Sequence, residues 1–98
     1  WHGHDYRLMG TVEGIPDPQT GFVMDLKDLK ALVESKVIKD VDHRNINLEV
    51  SWMKSVIPST ENFVIEIWNR LVEGFPEGIK LSKLTLWETP RHCVEYKG

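Results

Sequence analysis

The sequence predicts an α+β domain in which two helices pack on one face of an antiparallel sheet. Apolar and polar residues alternate near both ends of the chain, which indicates strands, and two central segments carry apolar residues at helical spacing. The predicted order is therefore strand, helix, helix, strand, strand. With 98 residues, no internal repeat and no low-complexity segment, the chain is expected to form a single domain over residues 1–98.

The first strand is predicted over residues 6–13. Tyr6, Leu8 and Val12 fall on one face and polar residues fall between them, the pattern of a half-buried strand. The stretch "GIPDPQTG" follows, and its two prolines and two glycines cannot continue a strand.

Two helices follow. Asp25 can cap the first, predicted over about residues 26–38, and Ser59 can cap the second, which "FPEG" ends. The second helix carries the stronger signal, a broad apolar stripe made of Phe63, Val64, Ile67, Trp68, Leu71, Val72 and Phe75.

The last two strands are predicted over residues 79–88 and 92–97, joined by a turn around Pro90. Three strands make a small sheet with exposed edges. We therefore expect that one strand of the fold is missing from this chain and that sheet edges pair with other subunits.

The net charge and the hydropathy of the chain argue against some classes of partner. A net charge of -3 and a pI near 5.8 leave no basic footprint for nucleic acid or an anionic membrane surface, and no segment is long and apolar enough to span a membrane. The single cysteine, Cys93, cannot form an internal disulfide, which favours a reducing compartment such as the cytoplasm. We interpret Cys93 as a small packing residue rather than a nucleophile.

The chain opens on "WHGHDYRL", in which His2 and His4 share the parity of the apolar strand face. On a strand the two imidazoles would point the same way from backbone positions about 7 Å apart and could bind one metal ion. The alternative is a surface pair or a tag remnant.

Glu88 ends the predicted strand "KLTLWE" on the same face as Leu84 and Leu86. A carboxylate on an apolar face needs donors, and a ligand with two parallel N–H groups would match its two oxygens. Alternatively, Glu88 lies beyond the sheet edge and is solvated, or it caps the turn at Thr89.

Two further clusters carry possible chemistry. Asp42 and His43 follow the first helix and are suited to proton transfer, although an Asp-His pair is more often a solvated helix end. Ser59, Thr60 and Glu61 fit helix N-terminal capping, and such an end also offers backbone N–H groups to a ligand.

Five blocks in order, "HGHDYRLMGTVEG", "DPQTGFVMDLKDLK", "DHRNIN", "PSTENFVIEIW" and "WETPRHCVEYKG", resemble the 6-pyruvoyl-tetrahydropterin synthase family, which includes the 6-carboxy-tetrahydropterin synthases of queuosine biosynthesis. The resemblance covers essentially the whole chain. It implies the tunnelling fold, whose sheets join across subunits into a barrel, and a cytoplasmic homohexamer built as a dimer of trimers with active sites at subunit interfaces. The family's first strand, with a third zinc-binding histidine, and the cysteine just before the HGH motif would lie upstream of this chain.

The resemblance assigns roles by position. His2 and His4 match two Zn²⁺ ligands, and Asp42 and His43 match the pair that works with the cysteine in proton transfer. Glu88 matches the glutamate that anchors the pterin ring, and the segment Ser59, Thr60 and Glu61 matches one that lines the pterin pocket. Asp5 stands where relatives often have Asn or Ser.

The implied activity is conversion of 7,8-dihydroneopterin triphosphate to 6-pyruvoyl-tetrahydropterin with loss of triphosphate, a lyase step of tetrahydrobiopterin formation. The blocks "VMDLKDLK", "DHRNIN" and "STEN" look closer to this branch than to the queuosine branch. The alternatives are a 6-carboxy-tetrahydropterin synthase and, from another class, a non-catalytic pterin-binding or assembly module.

Overall fold

A computed structural model describes residues 6–41, 50–53, 57 and 59–98. In these ranges three strands form one antiparallel sheet, with β2 in the centre and β1 and β3 on either side. The strands are β1 (Arg7–Gly14), β2 (Ile79–Thr89) and β3 (His92–Tyr96). The three predicted strands are confirmed to within about a residue at their ends.

The register of the sheet explains the alternation in the sequence. Leu8 of β1 lies opposite Leu86 of β2, and Leu86 in turn lies opposite Val94 of β3. These residues line the inner face, where Leu84 and Leu86 are almost completely buried. Side chains of even parity in β1 therefore face the core, as predicted.

The second predicted helix, here α2 (Thr60–Val72), covers this inner face. Ser59 caps it as expected, because its side-chain oxygen accepts a hydrogen bond from the backbone N–H of Asn62 at 3.1 Å. The helix buries one continuous stripe against the sheet, and Trp68 packs edge-to-face on Tyr96 of β3 with ring centroids 5.4 Å apart.

The first helix, α1 (Leu26–Val33), begins after Asp25, whose carboxylate accepts a hydrogen bond from the backbone N–H of Lys27. The helical backbone continues through a π-helical turn, Glu34–Ile38, and a last α-helical turn, Lys39–Val41. The predicted end at residue 38 is thus three residues too early. The Asp40 side chain in this last turn accepts hydrogen bonds from Trp52 and Arg70.

Helix α1 lies less tightly on the sheet than α2, since none of its own side chains is fully buried. An apolar cavity of about 390 Å³ separates it from the inner face of the sheet. The first fully buried side chain beyond it is that of Val37 in the π-helical turn. A short 3₁₀ turn, Ser51–Met53, then precedes α2 and buries Met53 in the core.

The structure tests the predicted burial of Cys93 on β3. Cys93 is exposed, so its interpretation as a packing residue is wrong: its parity on β3 is opposite to that of the inward-facing Val94.

Within the described ranges no helix combines the length and the apolar character that a bilayer span requires.

Candidate functional site

The end of β2 forms one wall of the candidate site. The pairing of β2 with β3 shifts between Trp87 and Thr89, so Glu88 has no directly paired residue on β3. Such a bulge kinks a strand and redirects a side chain. The Glu88 side chain continues the inner face beyond Leu86 and remains 31% exposed, which makes its carboxylate accessible at the edge of the core.

The N-terminus of α2 forms the opposite wall. Thr60, the first residue of the helix, is only 5% exposed, and its hydroxyl donates a hydrogen bond to Oε2 of Glu88 at 3.0 Å. The cap at Ser59 fixes the helix start and thereby the position of Thr60. The structure therefore brings two of the predicted site residues, Thr60 and Glu88, into direct contact between helix and strand, and their role in binding a substrate stays a prediction.

Tyr6, just before β1, completes the cluster. Burial raises the pKa of Tyr6 above its usual value, the negative charge of Glu88 raises it further, and a side-chain hydrogen bond with Thr60 acts in the opposite direction. Its ring packs edge-to-face on Phe63 of α2, with centroids 5.2 Å apart. Sequence reasoning placed Tyr6 on the inner face but missed it as a site residue; only its shared parity with His2 and His4 pointed to it.

His92 is a second residue that sequence reasoning missed. Its Nε2 lies 3.8 Å from Oε2 of Glu88, and its side chain is 57% exposed. This distance is too long for a good hydrogen bond and suits an ion pair when the imidazole is protonated. The two residues meet because the turn between β2 and β3 is tight, which an i,i+4 spacing in the sequence did not reveal.

The other predicted site residues are placed differently. Glu61 is exposed in the first turn of α2, where its charge complements the helix N-terminus, and its contact with a substrate stays a prediction. His2, His4, Asp42 and His43 lie outside the described residues. The Zn²⁺ expectation therefore stays a prediction too, and the described part of the chain holds no group of three or more His, Cys, Asp or Glu side chains suited to a metal.

This geometry suits a ligand with parallel N–H donors. A carboxylate has acceptor positions for about four hydrogen bonds, and the Thr60 hydroxyl occupies one of those on Glu88. The apolar ring of Phe63 is buried close to the same point, and Tyr6 shields one side. A flat ring with an N–H and an amino group on one edge could bind the carboxylate with two parallel hydrogen bonds.

The chain is similar to known proteins along its whole length. A family profile described as "6-pyruvoyl tetrahydropterin synthase" matches residues 1–98. The 6-pyruvoyl tetrahydrobiopterin synthase of Pongo abelii is 41% identical over 97 residues, which cover 99% of this chain and 66% of that protein. This chain thus spans slightly less than two thirds of that relative.

Two further similarities extend the comparison. The dihydroneopterin monophosphate aldolase of Pyrococcus furiosus is 38% identical over 94 residues, covering 96% of this chain and 75% of that protein. The solved structure of Caenorhabditis elegans 6-pyruvoyl tetrahydropterin synthase is 36% identical, superposes with a TM-score of 0.87 and covers 99% of this chain and 69% of that one. The α+β architecture predicted from the sequence, that of the tunnelling fold, is confirmed by this match.

Proposed function

Because this chain belongs to the 6-pyruvoyl tetrahydropterin synthase family, we propose that it forms the pterin-binding part of an enzyme that converts 7,8-dihydroneopterin triphosphate to 6-pyruvoyl-tetrahydropterin. The observation that carries the proposal is the contact of Thr60 with Glu88 at the mouth of the core. The reaction releases triphosphate, which places the enzyme among carbon-oxygen lyases.

Glu88 is the proposed anchor of the pterin ring. Its carboxylate accepts hydrogen bonds from a ring N–H and the exocyclic amino group, while the Thr60 hydroxyl keeps Oε2 oriented. A charged acceptor at the end of an apolar face discriminates strongly in favour of a ligand that supplies both donors, since an unmatched carboxylate there loses solvation without compensation.

We propose that Asp42 and His43 transfer protons and that His2 and His4 bind the metal, together with a third histidine as the family resemblance implies. An imidazole pair at strand spacing is a donor set that zinc accepts. A bound Zn²⁺ would polarise the side-chain hydroxyls of the substrate and acidify the protons that must leave. Metal analysis of the intact protein tests this assignment, and about one zinc per chain is expected.

The whole enzyme is proposed to be a cytoplasmic homohexamer with active sites between subunits. The edge strands β1 and β3 support this proposal, because edges that would otherwise template aggregation are commonly paired in assemblies. Light scattering on the purified protein measures the mass, and six chains per particle are expected. A monodisperse monomer would contradict the assembly but not the pterin anchor.

Product analysis tests the activity. The intact protein is incubated with 7,8-dihydroneopterin triphosphate, and the products are identified by mass spectrometry. We expect 6-pyruvoyl-tetrahydropterin and triphosphate. Formation of 6-carboxy-tetrahydropterin with acetaldehyde would instead assign the queuosine branch, and tight pterin binding without turnover would assign a non-catalytic module.

The anchor is tested in the same assay. Glu88→Gln keeps the shape of the side chain but gives one edge of the amide two donors, which face the donors of the pterin. We expect a loss of neopterin affinity of at least about tenfold, whereas Glu77→Gln, an exposed position in the turn before β2, leaves it unchanged. Equal affinities of the two variants would remove Glu88 from the site.

A second candidate activity follows from the relative in Pyrococcus furiosus, whose name gives a dihydroneopterin monophosphate as the substrate of an aldolase. The same anchor would bind that substrate, because the pterin ring is shared. Parallel assays with the monophosphate and the triphosphate distinguish the two activities. Turnover of the monophosphate alone would favour the aldolase.

A further inference from the structure

Three side chains from separate elements form a second cluster, away from Glu88. Oδ2 of Asp40, in the last turn after α1, accepts hydrogen bonds from Nε1 of Trp52 at 3.0 Å and from Nη2 of Arg70 at 3.2 Å. Trp52 belongs to the 3₁₀ turn and Arg70 to α2. We refer to Asp40, Trp52 and Arg70 as the Asp40 cluster.

Arg70 ties the cluster to the π-helical turn as well. Its Nε donates to the backbone carbonyl of Lys36 at 3.2 Å, and its guanidinium lies 5.5 Å from the centroid of the Trp52 ring. Trp52 in turn stacks on Phe63, with centroids 6.2 Å apart. Phe63 also contacts Tyr6, so a row of three aromatic rings, of which Phe63 is buried, leads from the cluster toward the Glu88 site.

The ion pair between Arg70 and Asp40 contributes little to the free energy of unfolding. The Arg70 and Asp40 side chains are 37% and 35% exposed, and ion pairs with that exposure contribute little to folding. The arrangement is nevertheless specific, since each donor has one defined acceptor and the π-helical turn presents its carbonyl to Arg70. Such turns are frequently found at functional sites.

The Asp40 cluster lies next to residues 42–49 in the sequence. Asp40 lies two residues before Asp42 and three before His43, and Trp52 lies beyond the same segment, residues 42–49. The hydrogen bond between Asp40 and Trp52 therefore connects the chain before residues 42–49 to the chain after them. Arg70 holds this junction against α2, the helix whose first residue contacts the pterin anchor.

We propose that Asp40, Trp52 and Arg70 are positioning residues: they connect the chain on either side of residues 42–49, which include Asp42 and His43, and so affect the rate of the chemical step. The inference rests on the proposed function. A displacement of about 1 Å in a reacting group can reduce a rate by about a hundredfold. The cluster does not touch the pterin anchor, so its loss reduces kcat and leaves ring binding intact.

Asp40→Ala is the main test variant, because alanine favours the helical turn while removing the shared acceptor. We expect kcat with 7,8-dihydroneopterin triphosphate to fall about tenfold or more, and the Kd for neopterin to change less than twofold. Asp40→Asn, which keeps an acceptor oxygen for Trp52, should recover most of kcat. Glu95→Ala breaks another exposed ion pair, that with Lys83, and should leave kcat unchanged.

An unchanged kcat in Asp40→Ala overturns the proposal, and so do equal losses of kcat and of neopterin affinity, which would indicate a merely structural role. A second measurement is independent of activity. Amide hydrogen exchange in residues 42–49 should accelerate in Asp40→Ala relative to the parent protein, with β2 unaffected. A parent protein without turnover contradicts the proposed function. The exchange result then tests the positioning role of the Asp40 cluster by itself, and unchanged exchange rates overturn that role.

Discussion

Thr60 and Glu88 lie 28 positions apart in the sequence, yet the hydroxyl of the first donates to a carboxylate oxygen of the second at 3.0 Å. The contact joins the N-terminus of α2 to the bulge at the end of β2. Capping chemistry sets one side of it and a shift in strand pairing sets the other. The two local features therefore produce an oriented acceptor where the apolar core opens to solvent.

Replacing Thr60 by valine tests this orientation. Valine has nearly the shape of threonine, so the buried side chain is accommodated, but Glu88 loses a donor. Hydrogen bonds to charged groups contribute about 1.5–3 kcal/mol, and the partial exposure of Glu88 puts the expected loss at the lower end, about tenfold in Kd for neopterin. Thr60→Ser restores the hydroxyl and should recover most of the affinity; failure to do so would contradict a role of the hydrogen bond.

Tyr6 gives a spectroscopic test of the same cluster. The chain has two tyrosines, so in Tyr96→Phe the tyrosinate absorbance reports Tyr6 alone. Burial first, and the charge of Glu88 second, raise the pKa of Tyr6 above 10.0. Adding Glu88→Gln should lower this pKa while leaving it above 10.0, because burial remains. An identical titration in both backgrounds would separate Tyr6 from Glu88.

The raised pKa of Tyr6 also predicts an alkaline loss of stability. The folded state holds the phenol proton more tightly than the unfolded chain, so the unfolded chain releases it first as the pH rises. This contribution is complete below about pH 10 and is lost as the pH passes the folded-state pKa. Denaturant unfolding between pH 8 and 11 measures it, and Tyr6→Phe should show a shallower decline than Tyr96→Phe.

Local signals were sufficient to predict the elements of this fold. Alternation located β1, and residues with capping side chains located both helix starts, at Asp25 and Ser59. Parity alone placed Glu88 on the inner face. These features depend on a few neighbouring residues, which is why the sequence reveals them without knowledge of tertiary contacts.

The contacts around the site could not be predicted in this way. Thr60 reaches Glu88 across 28 positions of sequence, and Arg70 reaches Lys36 across 34. The π-helical turn and the helix end at Val41 likewise depend on partners from distant elements. Such contacts are set by packing, and no local pattern encodes them; the family resemblance supplied roles for Glu88 and Thr60 but not for Tyr6.

The two helix caps provide a test of Ser59. Ser59 and Asp25 both accept a hydrogen bond from the backbone near a helix start, and replacing either by alanine should cost about 1 kcal/mol in the free energy of unfolding. Asp25 lies at the other helix, away from Glu88. If Ser59 also lines the pterin pocket, Ser59→Ala should weaken neopterin binding and Asp25→Ala should not. If the two variants bind neopterin equally well, Ser59 acts only as a helix cap.

The two glycines of β1 differ in how much space the structure leaves for an added Cβ. A Cβ on Gly14 would lie 2.9 Å from the backbone oxygen of Gly78 and 2.9 Å from Cγ1 of Val23, whereas a Cβ on Gly10 would meet Cδ2 of Leu84 at 3.4 Å. The Gly78 oxygen belongs to the backbone and cannot rotate away. Gly14→Ala should therefore lower the free energy of unfolding by about 1–3 kcal/mol.

Gly10→Ala is the matched control for this substitution, because it adds the same methyl group to the same strand. Its Cβ meets only the ends of flexible side chains, and alanine restricts the unfolded chain more than glycine does. We expect a change within about 0.5 kcal/mol in urea unfolding. If Gly14→Ala were no more destabilising than Gly10→Ala, the turn preceding β2 would have to lie farther from β1 than the structure shows, and the register that places Glu88 at the site would be in doubt.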